Sequence, residues 1–466
     1  MRDKSNNILL INPWIHDFAA FDLWAKPLGL LYVGSTLLQF GYDAHLIDCL
    51  YNYGYPYKER KFGKKSFYSE QIDKPSIFNN IPRTFKRYGI PRDEFRRRLK
   101  DVSTPFMICV TSHMTYWYPG VFEAIGIIKS IFPSVPVVLG GIYATLCHEH
   151  AVKNSGADYV IEGAGELEVL KLADNLSGNS RDYGIVRKWV EDEMVPAYEL
   201  YPELDSVSVI TSRGCPYRCS YCASFLFESK FTLRRPEHIV AELESYVKGY
   251  GVADIAFFDD ALLMDPQRHI IPILELLIKK GICVRLHTPN GVHAKYIDQQ
   301  LARLLRVSGF RTIRLGFEGT STALQKASKN KVSCRELESA LHHLREAEDH
   351  RHVCNDHNDT TWDIGIYLLI GMPGQTVGEV VESIEYINGL GAKIKLAEYS
   401  PVPGTEEFRD ASRLCPEVVG EPLMQNKSTF ATVGMGVDYD TFDNVKAMAK
   451  RLNARLRDSH INRELS

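Results

Sequence analysis

The chain has 466 residues, 45% of them hydrophobic and 24% charged, and a formal net charge of -3. This composition is typical of globular proteins, and the length indicates two or three domains. The near-neutral charge gives no indication of a nucleic-acid partner or an anionic membrane surface. Because the sequence shows no signal-peptide core and no apolar run of membrane-spanning length, we expect a cytoplasmic protein without a membrane span.

Residues 7–180 alternate short apolar strands with helices. The predicted strands are 8–11, 44–47, 106–110, 135–139 and 159–161, and the main helices are 28–40 and 120–132. Strands that are apolar throughout indicate a parallel sheet covered on both faces. We therefore predict a doubly wound, Rossmann-like domain with flavodoxin-like strand order.

An insertion at residues 51–104 interrupts this domain and is rich in tyrosine, lysine and arginine. We expect it to be a long solvated excursion with one helix, at 92–99. The alternative is that it covers a ligand at the top of the sheet, since loops of this length are usually functional or disordered.

A second alternation occupies residues 201–405. The predicted strands are 207–211, 255–258, 284–287, 312–315, 364–370 and 394–398. Six strand–helix units are too few for a closed eight-stranded barrel, so we predict a partial (β/α)6 TIM-like barrel with its chemistry at the carboxyl ends of the strands. Residues 406–466 are predicted to form a small C-terminal helical cap, with an amphipathic helix at 439–457.

Three of the ten cysteines are clustered directly after the first barrel strand, as Cys215, Cys219 and Cys222. In a reducing compartment, clustered cysteines are more often metal ligands than disulfides. Three thiolates can hold three irons of a [4Fe-4S] cluster and leave the fourth iron open. Tetrahedral zinc would require a fourth Cys or His, and none lies within fifteen residues on either side.

The Cys-x3-Cys-x2-Cys spacing, with Tyr221 before the last cysteine, resembles the radical S-adenosylmethionine superfamily. The resemblance implies that the open iron binds the amino and carboxylate groups of S-adenosylmethionine. An electron from the cluster then cleaves the sulfonium and yields a 5′-deoxyadenosyl radical, with S-adenosylhomocysteine as a further product in methylases.

The same resemblance implies residues that contact S-adenosylmethionine. They are Tyr221, Asp259, Asp260, Glu318 and Gly371. Tyr221 is expected beside the adenine, and Glu318 near the ribose or the methionine part. For the two aspartates the alternative is structural, because either could cap a helix or pair with an arginine.

The first domain resembles the cobalamin-binding domain that precedes some radical barrels. The matching segments are Asn12-Pro13, the start of the helix at 26–34, the Gly140-Gly141 loop and the loop at 162–166. A flat macrocycle needs a broad surface at the carboxyl edge of a parallel sheet. The resemblance implies that this surface includes Ser112, Thr115, Gly140, Gly141, Thr145, Gly163 and Gly165.

One departure from other cobalamin proteins concerns the cobalt ligand. Cobalamin mutases and methionine synthase have Asp-x-His-x-x-Gly after their first strand, whereas this chain has Asn12-Pro-Trp-Ile-His-Asp-Phe18. We therefore expect cobalamin without histidine ligation. The alternative is a Rossmann-like domain that binds no cofactor.

The expected function is cobalamin-dependent methylation of an unactivated carbon, in which the radical removes hydrogen and methylcobalamin donates the methyl group. Oxidative cyclisation or ring rearrangement is an alternative within the class. A methylthiotransferase-like enzyme would use Cys49, Cys109 and Cys147 for a second cluster, and a non-catalytic cobalamin or redox sensor is a further alternative. Cys109 lies within a strand, where a cysteine is usually a small buried hydrophobe.

The substrate, a small molecule or a peptide, cannot be named from the sequence. We expect an electron donor such as flavodoxin or ferredoxin. The His/Cys stretch at 350–357 has metal-ligand spacing, but it precedes a barrel strand and so lies at the end of the barrel away from the chemistry. We interpret it as a solvated loop.

Overall fold

The computed structural model describes residues 6–59, 62, 64–348, 350 and 362–464, with side chains as far as residue 456. The chain forms two compact units. Unit 1 consists of Met1–Leu204 and Val419–Gln425, and unit 2 of Asp205–Val418 and Asn426–Ser466. Among the described residues, no helix combines the length and apolarity needed to cross a membrane.

The strands of unit 1 are β1 (Asn7–Asn12), β2 (Ile15–Asp17), β3 (Asp43–Asp48), β4 (Ser69–Gln71), β5 (Lys86–Tyr88), β6 (Met107–Val110), β7 (Val137–Leu139) and β8 (Tyr159–Val160). Its helices are α1 (Leu28–Gln39), α2 (Arg92–Asp101), α3 (Tyr118–Ile131), α4 (Ile142–Leu146), α5 (His148–Asn154), α6 (Glu166–Ser177) and α7 (Tyr183–Asp192).

Five parallel strands form the main sheet of unit 1, in the order β3-β1-β6-β7-β8. This is the flavodoxin-like order predicted from the sequence. All of β1 and β6 is buried, and separate apolar clusters cover the two faces of the sheet. The continuous apolar strands are thus explained by burial on both sides.

The insertion differs from the expected solvated excursion. Strand β5 pairs with β4 on one side and with β2 on the other in a three-stranded antiparallel sheet, so the expectation of one helix and no further structure is wrong. The rings of Phe18, Phe78 and Phe85 lie 5.2–5.5 Å apart and form a local aromatic core. Arg87 of β5 pairs with Glu123 of α3 at 3.1 Å, which ties the insertion to the main sheet's helices.

The strands of unit 2 are β9 (Ser206–Val209), β10 (Ser212–Arg213), β11 (Thr232–Leu233), β12 (Asp254–Phe257), β13 (Arg285–His287), β14 (Val292–His293), β15 (Phe310–Glu318), β16 (Asp363–Ile370) and β17 (Lys393–Glu398). Its helices are α8 (Ser224–Phe227), α9 (Pro236–Tyr250), α10 (Ile270–Lys279), α11 (Gln299–Val307), α12 (Thr322–Ala327), α13 (Cys334–Glu346), α14 (Val377–Gly389), α15 (Glu406–Leu414), α17 (Lys427–Met435) and α18 (Tyr439–Glu464), and the short α16 (Glu417–Gly420) lies where the chain passes from unit 2 to unit 1.

Six parallel strands form the barrel sheet, in the order β17-β16-β15-β13-β12-β9, and the short β14 also pairs with β15. In the described part of the chain the two end strands, β9 and β17, do not pair with each other, so the barrel is open as predicted. Asn453 of α18 covers one edge: its side-chain amide exchanges two 2.8 Å hydrogen bonds with the backbone of Ile394 in β17.

Candidate active site

The three clustered cysteines lie on the loop between β10 and α8, beyond the carboxyl end of β9. Cys219 is buried, whereas Cys215 and Cys222 are half-buried. A tight turn joins the last two, because the backbone N–H of Cys222 donates to the carbonyl of Cys219 at 3.1 Å. The loop therefore presents three thiols at the end of the barrel where the sequence places the chemistry.

Gly214 sets the entry of this loop. Its φ is +74°, and a Cβ at this position would lie 2.5 Å from the backbone oxygen of Lys230. Any other residue would combine left-handed strain with a backbone clash. The glycine lets β10, which pairs with β11, turn sharply into the first cysteine.

The centre of the loop is anchored by two other elements. Ser220 donates its hydroxyl to Glu407 of α15 at 2.6 Å and accepts the Glu407 backbone N–H at 3.0 Å. Its own N–H donates to Ala327 at the end of α12 at 2.8 Å. The thiol of Cys219 also lies 3.5 Å from the carbonyl of Ser328. These contacts fix the backbone on both sides of the buried thiol.

The three thiols are spaced more widely than the ligands of a single tetrahedral zinc ion. In the described chain, the set of ligand atoms that all lie within 4.8 Å of one another belongs to His342, His343 and Glu346, so the three thiols are spread more widely. Four-coordinate zinc with Zn–S bonds of about 2.3 Å would hold its sulfurs roughly 4 Å apart. Burial raises the pKa of the Cys215 thiol to about 11. Metal binding therefore has to displace protons from these thiols.

An ion pair lies beside the cysteines. Lys331 donates its Nζ to Glu318 Oε1 at 2.5 Å and lies 3.5 Å from the Tyr221 hydroxyl. The side chains of Lys331 and Glu318 are 14% and 10% exposed, and the positive charge of Lys331 acts on both Cys219 and Cys222. Burial raises the pKa of Tyr221 above its usual range, so its hydroxyl stays protonated.

The structure thus brings together the predicted Tyr221 and Glu318 with a lysine that the sequence analysis did not identify. Glu318 ends β15 and is one of the few non-glycine residues with positive φ, at +73°. Such strain at a strand end is characteristic of functional positions. Lys331 follows α12 and has no motif of its own.

Asp259, predicted to contact S-adenosylmethionine, forms hydrogen bonds to the segment that follows β9. Its Oδ1 accepts hydrogen bonds from the backbone and hydroxyl of Thr211 and of Ser212, at 2.6–2.9 Å. Within the described part of the chain it neither caps a helix nor pairs with an arginine. Burial raises its pKa to about 6. Asp260 is exposed, and its charge acts on Cys215.

Gly371, also predicted to contact the cofactor, has a packing role in the structure. Its φ is +91°, and a Cβ would lie 2.7 Å from Cα of Ala431 in α17. The glycine is needed for the close approach of β16 to this helix. Its contact with S-adenosylmethionine stays a prediction.

In unit 1, most of the predicted cobalamin residues form a connected set at the carboxyl ends of β6, β7 and β8. Ser112 donates to the carbonyl of Gly140 at 2.7 Å, and Thr145 donates to the carbonyl of Gly141 at 2.9 Å. The Thr145 hydroxyl also accepts the N–H of Gly163 at 3.0 Å. The hydroxyls therefore brace three loops into one surface.

The other two candidates lie outside this set. Thr115 is buried in a 3-10 helix, and Gly165 precedes α6 and faces Val33. Apolar side chains are exposed at the surface itself: Met114 is 47% and Ile142 39% exposed. The face of a large flat macrocycle would cover such side chains, so this surface fits a corrin.

The positions of Cys49, Cys109 and Cys147 do not support a second iron–sulfur cluster in unit 1. Cys49 belongs to the apolar cluster on one face of the sheet, and Cys109 to the cluster on the other face. Burial raises the pKa of Cys109 to about 12. Cys147 is half-buried against Gln425. Of the stretch at 350–357, all but His350 lies outside the described residues.

Comparison with protein families identifies the two units. Residues 209–387 match the model of the radical SAM superfamily, and residues 84–173 match the model of the B12 binding domain. The chain is a cobalamin-binding radical S-adenosylmethionine enzyme. Its domains imply a [4Fe-4S] cluster, S-adenosylmethionine and cobalamin as cofactors, as predicted.

Individual relatives extend over both units of the enzyme. An uncharacterized methyltransferase of Pyrococcus horikoshii is 25% identical, with 83% of this chain and 79% of the relative covered. Cytidylyl-2-hydroxyethylphosphonate methyltransferase of Streptomyces wedmorensis is 21% identical over 88% of this chain and 82% of the relative. The solved structure of the radical S-adenosylmethionine methyltransferase TsrM from Kitasatospora setae covers 89% of this chain and 77% of its own, with a TM-score of 0.64 at 18% identity.

Proposed function

We propose that this enzyme transfers a methyl group from S-adenosylmethionine to an unactivated carbon of a small molecule or peptide. The observation that supports this function is the pairing, in one chain, of a three-cysteine radical barrel with a cobalamin domain. The two relatives described above are both named methyltransferases. A flavodoxin or ferredoxin would supply the electrons.

The cofactors would supply the bond-breaking chemistry, the cluster by giving an electron to the sulfonium and cobalamin by carrying the methyl group. The protein's part in the barrel begins with Cys215, Cys219 and Cys222, which would hold three irons. A fourth iron would have no cysteine ligand from this loop and would be available to the amino and carboxylate groups of S-adenosylmethionine.

Glu318 and Lys331 provide opposite charges beside the cysteine loop that would hold the cluster. S-adenosylmethionine has a carboxylate, an ammonium group and a sulfonium. The carboxylate of Glu318 and the ammonium group of Lys331 can therefore each bind a group of opposite charge on it. We assign Lys331 to the carboxylate, because its ammonium group has several N–H donors and can bind an anion while it also donates to Glu318. Glu318 is then left for the cationic or hydroxyl groups of the same ligand.

This function can be tested before the substrate is known. The reduced, oxygen-free enzyme is loaded with cobalamin and incubated with S-adenosylmethionine that has an isotopically labelled methyl group. We expect the label to pass from the sulfonium to reduced cobalamin, with S-adenosylhomocysteine as the co-product, and a slower formation of 5′-deoxyadenosine. Mass spectrometry measures all three.

The outcomes separate methyl transfer from its alternatives. Formation of 5′-deoxyadenosine without label on the corrin would contradict methylation and would favour cyclisation or ring rearrangement. If S-adenosylmethionine is not consumed at all, the result would contradict the proposed methylation and favour a non-catalytic cobalamin or redox sensor. The Cys219→Ala variant provides the control for cluster-dependent cleavage, because it should form no 5′-deoxyadenosine.

A further inference from the structure

His113 lies in unit 1 on the loop that follows β6, the central strand of the parallel sheet. Its ring is half-buried, and Nε2 lies 3.1 Å from Oδ1 of Asn12, the last residue of β1. The carboxyl ends of β1 and β6 are adjacent because the two strands pair directly. The ring is thus held at the edge of the sheet where a ligand is expected.

The hydrogen bonds around Asn12 determine which ring nitrogen of His113 has the proton. The Asn12 amide Nδ2 donates to Asp48 Oδ1 at 2.7 Å, and the other oxygen of Asp48 accepts the Tyr201 hydroxyl at 2.6 Å. Because the Nδ2 of Asn12 donates to Asp48, the side-chain oxygen of Asn12 is the atom that faces His113, and an amide oxygen only accepts. Nε2 must therefore donate to it, and the lone pair of the neutral ring lies on Nδ1.

That lone pair has no protein partner. Among the described residues nothing bonds to Nδ1 of His113, and the atom is not enclosed by protein. Burial lowers the pKa of His113, which favours the neutral ring. The neighbouring Ser112 belongs to the connected loops described above, and Met114 is exposed beside it.

We propose that His113 is an axial ligand of the cobalt in bound cobalamin, through Nδ1, with Asn12 and Asp48 as positioning residues. A ligating histidine typically donates its other N–H to an acceptor that fixes the ring and raises its basicity, which is the arrangement seen here. Residue 113 also lies within the segment that matches the B12 binding domain. The proposal replaces our expectation of cobalamin without histidine ligation.

The test is electron paramagnetic resonance of the full-length enzyme loaded with hydroxocobalamin and reduced by one electron, without S-adenosylmethionine or substrate. The probe is the nitrogen splitting on the cobalt lines. One ¹⁴N ligand splits each line into three, and one ¹⁵N ligand into two. In protein labelled with [¹⁵N]histidine we expect threefold splitting to become twofold, since only a histidine of the protein would be labelled.

Two variants complete the test. His113→Ala should lose the nitrogen splitting, whereas His45→Ala, an exposed histidine of β3, should keep it. Threefold splitting that persists in labelled protein would assign the ligand to the cofactor's own benzimidazole and overturn the proposal, as would the absence of splitting or of bound cobalamin. The isotope result requires no variant, so a misfolded His113→Ala would not affect it. Because no methyl transfer is involved, failure of the proposed function would leave this result unchanged.

Discussion

At the scale of single residues, the active site combines groups that are close in sequence with groups that are not. Cys215, Cys219 and Cys222 share one loop, so the spacing of the sequence is enough to suggest a common role for them. Lys331 lies 110 residues from Tyr221, and only the fold brings the two together. A lysine without a motif carries no sequence signal except its position shortly after the Glu318 strand end.

Replacement of Lys331 tests its assignment to the carboxylate of S-adenosylmethionine. A hydrogen bond between charged groups contributes about 1.5–3 kcal/mol, so Lys331→Met should weaken binding roughly ten- to hundredfold. The measurement is a titration of the reduced enzyme with S-adenosylmethionine, followed by the change in the cluster's paramagnetic resonance signal.

Iron content should be unchanged in Lys331→Met, because the lysine is not a ligand. Lys331→Arg should restore part of the affinity. The matched control is Lys326→Met, which removes an exposed lysine of α12. Equal affinity in Lys331→Met and in the unaltered enzyme would refute the assignment.

The same limit of sequence reasoning applies to Asp259 and Gly371. Both were expected to contact the cofactor, because they end barrel strands. The structure shows that Asp259 accepts hydrogen bonds from Thr211 and Ser212, and that Gly371 leaves room for the close packing of α17. Position at a strand end was predictable from the sequence, but the partner of each residue depends on tertiary packing.

At the scale of elements, strands and helices with strong patterns were predicted correctly. The barrel helices α13 and α14 begin with capping boxes, formed by Ser333 with Glu336 and by Thr376 with Glu379. These capping boxes define the residue at which each helix begins. The three short strands of the insertion sheet were missed. Each has only three residues, which is too short for an alternating pattern to stand out.

The turn before the cluster loop gives a prediction at this scale. Gly214→Ala would impose a left-handed conformation that costs about 1–2 kcal/mol, and its Cβ would meet the backbone of Lys230. We expect a lower unfolding temperature and a lower iron content after reconstitution, because the loop could no longer present Cys215.

The comparison variant is Gly249→Ala in α9, where a Cβ would meet nothing within 4 Å. Replacement of a helical glycine by alanine removes freedom from the unfolded chain, so this variant should be as stable as the unaltered protein or slightly more stable. If both variants keep the full iron content, the turn does not determine the geometry of the cluster loop.

At the scale of the whole molecule, the order of the two domains and their strand orders were predictable from the alternation of strands and helices. The parallel sheet of unit 1 and the open six-stranded barrel of unit 2 are both confirmed. The division of the C-terminal residues was not anticipated, since residues 419–425 belong to unit 1 and residues 426–466 to unit 2. The composition of so short a segment does not indicate which of the two units it packs with.

The proposed chemistry depends most on a [4Fe-4S] cluster at the barrel's carboxyl end, and the iron content of anaerobically reconstituted protein tests for it most directly. We predict about four irons and about four sulfides per chain. Cys219→Ala should lose most of this iron, whereas Cys334→Ala, which removes a half-buried thiol at the start of α13, should retain it. A single zinc ion, no bound metal, or an iron content unaffected by Cys219→Ala would contradict the account.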